Sequence, residues 1–131
     1  MIFVDTGAWF ALVAPSDVDH QAAATWFGSN RKSICTSNYV VDETLTLLRA
    51  RGEPNRALAM GRAFFSGQIA VVHHLTEMDI REAWRVFERF SDKSWSFTDC
   101  TSKVLMERLR ITEAFAFDEH FRQFGGVMIR P

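Results

Sequence analysis

The sequence has few cysteines, no long apolar run and no excess of charge of one sign. Cys35 and Cys100 lack the paired spacing of a zinc site or a disulfide framework, so we expect reduced thiols. No apolar segment approaches the ~18 residues that cross a membrane. Asp5 interrupts the N-terminal apolar stretch too early for a signal peptide. Together these absences predict a cytoplasmic protein with no membrane segment.

The charge balance excludes a broadly basic surface. The 131 residues include 15 Lys and Arg against 16 Asp and Glu, for a net charge of -1. A broad nucleic-acid-binding surface would carry a clear positive excess. A local basic surface is still compatible with these numbers, because 12 of the 15 basic residues are Arg, whose planar guanidinium matches phosphate.

Short apolar segments alternate with helical patterns along the whole chain. Continuous apolar runs predict strands that are buried on both faces, and Ser, Thr and Asp start signals precede several of the helices. The predicted strands are residues 2–4, 33–36, 69–72, 114–117 and 127–129. The alternation predicts one α/β domain over residues 1–131, with three α/β/α layers and a mostly parallel central sheet of four to five strands.

Four acids lie where ligands bind in such folds. Asp5 and Asp118 follow predicted strands, and ligand sites in parallel sheets lie beyond the carboxyl ends of the strands. Asp99 lies in the first turn of a helix. Glu43 lies on a largely apolar strip of a long helix, whereas its neighbour Asp42 lies on the solvated face. Taken singly, each acid also has a structural explanation, as a helix cap or as a half-exposed side chain.

Taken together, the four acids predict a metal site. Carboxylates drawn into one cleft repel each other, and only protonation or a bound cation removes that cost. No His or Cys spacing accompanies them, so Mg²⁺ or Mn²⁺ is favoured over zinc. Magnesium held by carboxylates most often acts on phosphate. The expected reaction is therefore phosphoryl transfer or phosphodiester hydrolysis.

Several other phosphate-handling classes lack their motifs. The chain has no G-x-x-x-x-G-K-[ST] loop and no G-x-G-x-x-G after the first strand. A phosphatase with Asp5 as nucleophile usually has a second acid two residues later, where this chain has Gly7. The paired acids and late lysine of a phosphoacceptor domain are also missing. The phosphatase stays open as an alternative, and so does a non-catalytic protein that binds a partner.

The acids stand in four ordered motifs: I-F-V-D-T-G, V-V-D-E, S-F-T-D-C and A-F-D-E-H-F. In this order and length of chain they resemble the PIN domain, in particular the VapC-type toxins of toxin–antitoxin pairs. The resemblance covers essentially the whole chain. It implies a parallel sheet between helices and a Mg²⁺- or Mn²⁺-dependent ribonuclease that cleaves RNA. It also implies a homodimer that a small antitoxin protein inhibits.

The resemblance also implies residue roles. The predicted catalytic and metal-binding residues are Asp5, Glu43, Asp99 and Asp118, of which the last is the more variable in the family. Thr6 and Thr98 match small hydroxyls that orient a carboxylate or a water. In the mechanism that the resemblance implies, a metal-activated water would attack the scissile phosphate, without an amino-acid nucleophile.

Three further side chains lie outside the predicted set of site residues: His120, Trp95 and Trp84. His120 is close enough in sequence to Asp118 to reach the cleft, but a surface position is the commoner one for such a histidine. Trp95, in the polar loop before Asp99, either touches substrate or shelters the site. Trp84 fits a helical apolar face and is interpreted as core.

An arginine-rich segment lies further along the chain. Its basic residues are Arg49, Arg51, Arg56 and Arg62, and with Glu53 its local charge is +3. It is interpreted as a solvated helix pair, as a surface that follows a phosphate backbone, or as the docking surface of the antitoxin.

Overall fold

Five short strands form one parallel sheet in the computed structural model, which describes all 131 residues. The strands are β1 (Ile2–Val4), β2 (Ile34–Ser37), β3 (Val71–His73), β4 (Glu113–Phe115) and β5 (Met128–Arg130). Their order across the sheet is β3-β2-β1-β4-β5, and every neighbouring pair is parallel. The central strand β1 is fully buried, while the edge strands β3 and β5 are partly exposed.

Seven helices cover the sheet. They are α1 (Thr6–Val13), α2 (His20–Ser29), α3 (Asn38–Ala50), α4 (Pro54–Phe65), α5 (Glu77–Arg89), α6 (Phe97–Arg108) and α7 (His120–Gln123). Helices α1 to α4 contact one another, and so do α5 to α7. Right-handed crossovers place these two groups on opposite faces of the sheet. The prediction of an α/β fold with three layers and four to five mostly parallel strands is confirmed.

The helices that border the strand ends begin at polar caps, as the sequence predicts. The hydroxyl of Ser37 accepts the N–H of Val40 at 3.1 Å, so α3 begins directly after β2. Thr76 caps α5 and Ser96 caps α6, each with an aspartate three residues later that completes a capping box. The second of these boxes fixes Asp99 in the first turn of α6.

Four of the five strands differ from their predicted bounds, two of them by one residue and two of them by two residues at one end. The predicted strand 69–72 is found at Val71–His73, and 114–117 is found at Glu113–Phe115. Asp118 therefore does not follow β4 directly, and that part of the prediction is wrong. Phe117 leaves the sheet but packs edge-on against Phe115, with ring centroids 5.6 Å apart. The apolar run thus continues past the strand, because Phe117 contributes to the core without pairing.

The prediction that Trp84 belongs to the core is also wrong. Its side chain is 53% exposed, because α5 packs on α6 through a stripe formed by Asp79, Ala83 and Val86. Trp84 lies about 100° around the helix from Ala83, outside this stripe. Within the stripe, the Asp79 carboxylate accepts two hydrogen bonds from Arg108 of α6, at 2.8 and 2.9 Å. This ion pair connects α5 to α6.

The two cysteines are both buried and form no disulfide. Burial raises the pKa of each thiol, of Cys35 and of Cys100, to about 11. The high pKa keeps both thiols protonated, which agrees with the expectation that they are reduced. None of the seven helices combines the length and apolarity that a membrane span requires.

Candidate active site

Asp5 lies at the carboxyl end of the central strand. Its backbone N–H donates to the carbonyl of Phe115 at 3.1 Å, which joins the ends of β1 and β4. Asp5 is the N-cap residue of α1, yet its carboxylate makes no capping hydrogen bond, and the residue is only 4% exposed. The hydrogen bond that the capping explanation requires is therefore missing, although the carboxylate lies beside the backbone N–H of Thr6, the first residue of α1.

Glu43 lies one turn into α3, on the side that approaches α6. The two helices contact each other where the rings of Tyr39 and Phe97 lie 6.4 Å apart. Glu43 follows Tyr39 by one turn and is half-buried, whereas Asp42 is exposed. The structure therefore agrees with the choice of Glu43 over Asp42 as the inward-facing acid of this pair.

Asp99 completes the capping box of α6 and is also a candidate metal ligand. It is 6% exposed, and its Oδ2 atom accepts the backbone N–H of Ser96 at 2.9 Å as part of the capping box. The same Oδ2 atom lies 2.7 Å from Nδ1 of His120. Its Oδ1 atom takes part in no hydrogen bond within the protein. The Oδ2 atom of Asp99 is therefore occupied by hydrogen bonds within the protein, and the Oδ1 atom is free to bind a cation.

Asp118 is the most exposed of the four acids. Its side chain is 42% exposed, and its Oδ1 atom accepts the backbone N–H of His120 at 2.9 Å. The same oxygen lies 3.2 Å from the Nδ1 atom of His120. Asp118 thus occupies the rim of the cleft and stabilises the turn that enters α7.

His120 lies inside the site, which sequence reasoning did not favour. Its half-buried ring stands between Asp99 and Asp118, and its Nε2 atom is 3.2 Å from the hydroxyl oxygen of Ser94. The sequence placed His120 two residues after Asp118, which was the one indication that it could reach the site. This spacing could not show that the turn into α7 directs the ring toward α6.

Trp95 shelters the site. The residue is buried, and its indole N–H donates to Oε1 of Gln123 in α7 at 2.7 Å. Its ring packs against Phe90 and Phe124, at centroid distances of 4.8 and 5.1 Å. Of the two interpretations of Trp95, its burial supports the one in which it shelters the site, and its hydrogen bond to Gln123 also holds α7 beside the cleft.

The electrostatics of Asp5 indicate that the four acids converge. The pKa of Asp5 is raised to about 8, first because the carboxylate is buried and second because of the negative charge of Asp99. The charges of Glu43 and Asp118 raise it further, and the nearby backbone N–H of Thr6 offsets only part of the shift. The charges of the other three predicted acids therefore reach the Asp5 carboxylate, and the roles of all four acids stay predictions.

The oxygen atoms of the cleft suit a hard divalent cation that keeps part of its water shell. No three Asp, Glu, His or Cys side chains stand close enough to form a closed metal cage. Mg²⁺ does not require one, because it usually binds through one or two carboxylates and retains several waters. The Thr6 hydroxyl is buried without a hydrogen-bond partner beside Asp5, so it is free to bind a water or a carboxylate. Thr98 is half-buried, and only its carbonyl is bonded, to the Thr101 hydroxyl at 2.7 Å.

The family model of the PIN domain matches residues 2–127. The chain belongs to the PIN-domain family. The 23S rRNA-specific endonuclease VapC20 of Mycobacterium tuberculosis is 36% identical over 131 residues, covering 100% of this chain and 99% of that protein. The VapC ribonuclease of Archaeoglobus fulgidus is 30% identical over 123 residues, covering 90% of this chain and 77% of that protein. A crystal structure of the mycobacterial VapC20, titled as a Sarcin-Ricin loop cleaving toxin, matches with a TM-score of 0.93 and 35% identity over 100% of both chains.

These relatives confirm the predicted function class of this PIN-domain protein, an endoribonuclease toxin of the VapC type. They decide against the phosphatase and the non-catalytic protein that the sequence had left open. PIN-domain nucleases generally depend on divalent metal ions. The individual roles of the six site residues stay predictions: Asp5, Thr6, Glu43, Thr98, Asp99 and Asp118.

We expect the metal-free PIN domain to lose stability as the pH rises. The pKa of Asp5 is about 8 in the folded state against 3.8 as its ordinary value. The folded state therefore holds this proton more tightly, so the stabilisation is complete at acid pH and is lost as the pH rises through about 8. Thermal unfolding in EDTA should show a fall in melting temperature between about pH 5 and pH 9 that is much smaller in Asp5→Asn. Equal pH dependence in the two proteins would contradict the placement of Asp5.

Proposed function

We propose that this chain is a Mg²⁺- or Mn²⁺-dependent endoribonuclease that hydrolyses RNA phosphodiester bonds as the toxin of a toxin–antitoxin pair. The observation that supports the metal dependence is that the Asp5 carboxylate is only 4% exposed and makes no capping hydrogen bond, with its pKa raised to about 8 by burial and by the charges of three other carboxylates. Such a carboxylate is mostly protonated at neutral pH unless a cation compensates its charge. A cation would therefore be bound most strongly where these charges meet.

The four acids would contribute to cation binding in different ways. Asp5 and the free Oδ1 atom of Asp99 would be the direct ligands, while Glu43 from α3 and Asp118 from the rim would act on the cation through its retained waters. When bound, a divalent cation polarises phosphoryl oxygens, lowers the pKa of water and neutralises the leaving oxygen. The Thr6 hydroxyl would orient the Asp5 carboxylate or a water beside it.

We propose ribosomal RNA as the substrate class. The full-length relative from M. tuberculosis is named for 23S rRNA, and its crystal structure is titled for cleavage of the Sarcin-Ricin loop. The charge distribution supports an RNA substrate. Outside the four site acids, 12 acidic residues remain against 15 basic ones, so a mildly basic exterior surrounds an acidic cleft.

Adjacent acids on α3 provide a matched test of the site. We expect Glu43→Gln to lower the rate of rRNA cleavage on the order of 100-fold or more, because a charge directed at the cation is lost. Asp42→Asn removes the same charge from the exposed side of the helix and should leave the rate within about twofold. The measurement is cleavage of purified ribosomes with Mn²⁺ or Mg²⁺. Cleavage that persists in EDTA, or equal effects of the two substitutions, would refute the proposal.

We propose that the antitoxin docks in the groove between α3 and α4. The groove has a volume of about 820 Å³ and is lined by Leu45, Thr46, Arg49, Ala50, Ala57, Leu58, Gly61, Arg62 and Phe65. Its side chains are mainly apolar, and Phe65 is 79% exposed. Two arginines, Arg49 and Arg62, stand among them. This combination fits a segment that presents apolar and acidic side chains together.

The other two arginines of the segment are engaged elsewhere. Arg56 forms an ion pair with Glu53 at 2.6 Å, and the guanidinium of Arg51 lies over the ring of Phe10, 5.7 Å from its centroid. The segment is therefore not a continuous row of free positive charge. This arrangement favours the antitoxin interpretation over the binding of a phosphate backbone.

The double variant Arg49→Glu and Arg62→Glu separates these two interpretations. We expect it to resist inhibition by the cognate antitoxin protein, because acidic side chains of the partner would be repelled. Cleavage of RNA in the absence of that protein should stay at the wild-type rate. A loss of cleavage with unchanged inhibition would instead assign the two arginines to RNA.

We propose that the protein is a homodimer that uses the outer face of α5. Trp84 and Phe87 are exposed on this face with rings 5.9 Å apart, and Met78 is exposed on the same helix. The charges around them alternate in sign, as in the pairs Arg81–Glu77 and Arg85–Glu82. An apolar face with both signs of charge suits a second copy of itself better than a nucleic acid.

Sedimentation of the intact chain tests the dimer. Trp84→Glu should convert it to a monomer at micromolar concentration, because the charge would be buried in the contact. Phe65→Glu changes an even more exposed aromatic residue on α4 and should leave the dimer intact. A monomeric wild type, or a Trp84→Glu variant that stays dimeric, would contradict this surface.

A further inference from the structure

We propose that His120 is a positioning residue that fixes the Asp99 carboxylate so that only its Oδ1 atom faces the cation. This inference rests on the proposed metal-dependent nuclease site. The key contact is the 2.7 Å distance between Nδ1 of His120 and Oδ2 of Asp99. It joins α7 to the first turn of α6, across 21 residues of sequence.

The partners of the ring define its hydrogen-bonding pattern. The carboxylate oxygens of Asp99 and Asp118 only accept hydrogen bonds, so Nδ1 of His120 carries the hydrogen. On the other side of the ring, the Ser94 hydroxyl lies 3.2 Å from Nε2 and can donate to it. Ser94 thereby favours the tautomer that donates from Nδ1.

This hydrogen bond leaves Asp99 with one free oxygen. Oδ2 receives two donors, the backbone N–H of Ser96 at 2.9 Å and the imidazole of His120 at 2.7 Å. Oδ1 receives none. A carboxylate that is bonded in this way cannot rotate freely and cannot bind a cation through both oxygens. His120 therefore determines both the orientation of Asp99 and the number of oxygens that it offers.

Three further contacts hold the histidine in place. The Asp118 carboxylate accepts its backbone N–H at 2.9 Å, and the next residue, Phe121, is buried with its ring 6.2 Å from that of Phe3 in β1. Trp95 holds the end of the same short helix through its bond to Gln123. The ring is thus supported by the core itself, as expected of a group that orients a metal ligand.

The test measures Mn²⁺ affinity by calorimetry in His120 variants. His120→Ala should bind Mn²⁺ about 10- to 100-fold more weakly, the usual cost of removing a group that orients a ligand. His120→Asn places an amide N–H near the position of Nδ1 and should recover most of the affinity. His120→Gln places its amide near the position of Nε2 and should resemble His120→Ala. This difference between Asn and Gln would not arise if the residue only supported the fold.

Two further variants control for general effects. Ser94→Ala is an exposed change outside the core, and it should weaken Mn²⁺ binding in the same direction by a smaller factor. His74→Ala removes an exposed histidine elsewhere and should leave Mn²⁺ affinity unchanged.

Wild-type affinity, or tighter binding, in His120→Ala would overturn the inference, since the ring would then compete with the cation. A wild type that binds Mn²⁺ and cleaves RNA while His120→Ala keeps its affinity refutes the inference alone. A wild type that binds no Mn²⁺ refutes the proposed function and this inference with it.

Discussion

The burial of the Asp5 carboxylate among three other carboxylates is the constraint on which the rest of the site depends. Asp5 ends the central strand of the sheet, so its position follows from the core and cannot relax toward solvent. Its pKa of about 8 reflects the additional free energy that is needed to ionise the carboxyl group in this buried position. A bound cation would remove this cost, and in the proposed function the same cation would supply the chemistry of phosphodiester hydrolysis. Under that proposal, stability and activity are linked through one side chain.

The strand order explains how acids far apart in sequence meet at this point. From β1 the chain first builds the sheet in one direction, through β2 and β3, and then returns to add β4 and β5 on the other side. The direction reverses at β1, and this is where ligands bind in open parallel sheets. Helix α3 follows β2 on one side of β1, and helix α6 precedes β4 on the other side. The two helices contact each other. Glu43 and Asp99 thus approach Asp5 without any special local geometry.

Much of this arrangement was predictable, because it depends on patterns that are local in sequence. Apolar runs predicted the five strands, and hydroxyl residues predicted the starts of α3, α5 and α6. The spacing of apolar residues around Glu43 distinguished it from Asp42. The ordered acids also indicated the family, because each of the four motifs that carry them is a short contiguous stretch of sequence.

The features that sequence reasoning missed depend on contacts between distant elements. Trp84 has the helical spacing of a core residue, but the packing of α5 on α6 leaves it outside the buried stripe. Phe117 is apolar but unpaired, so the end of β4 could not be identified from composition. His120 enters the site because Trp95 and Phe121 fix α7, which is a property of the assembled core. Such contacts cannot be predicted from the residue pattern of a single segment.

The release of protons on Mn²⁺ binding tests the central claim most directly. If Asp5 is protonated at pH 7 because its pKa is about 8, binding of the cation must displace that proton. Calorimetry in buffers of different ionisation enthalpy should therefore detect close to one proton released per protein at about pH 7, and clearly less in Asp5→Asn. Tight Mn²⁺ binding without proton release would contradict a buried, protonated Asp5. So would equal proton release by the two proteins.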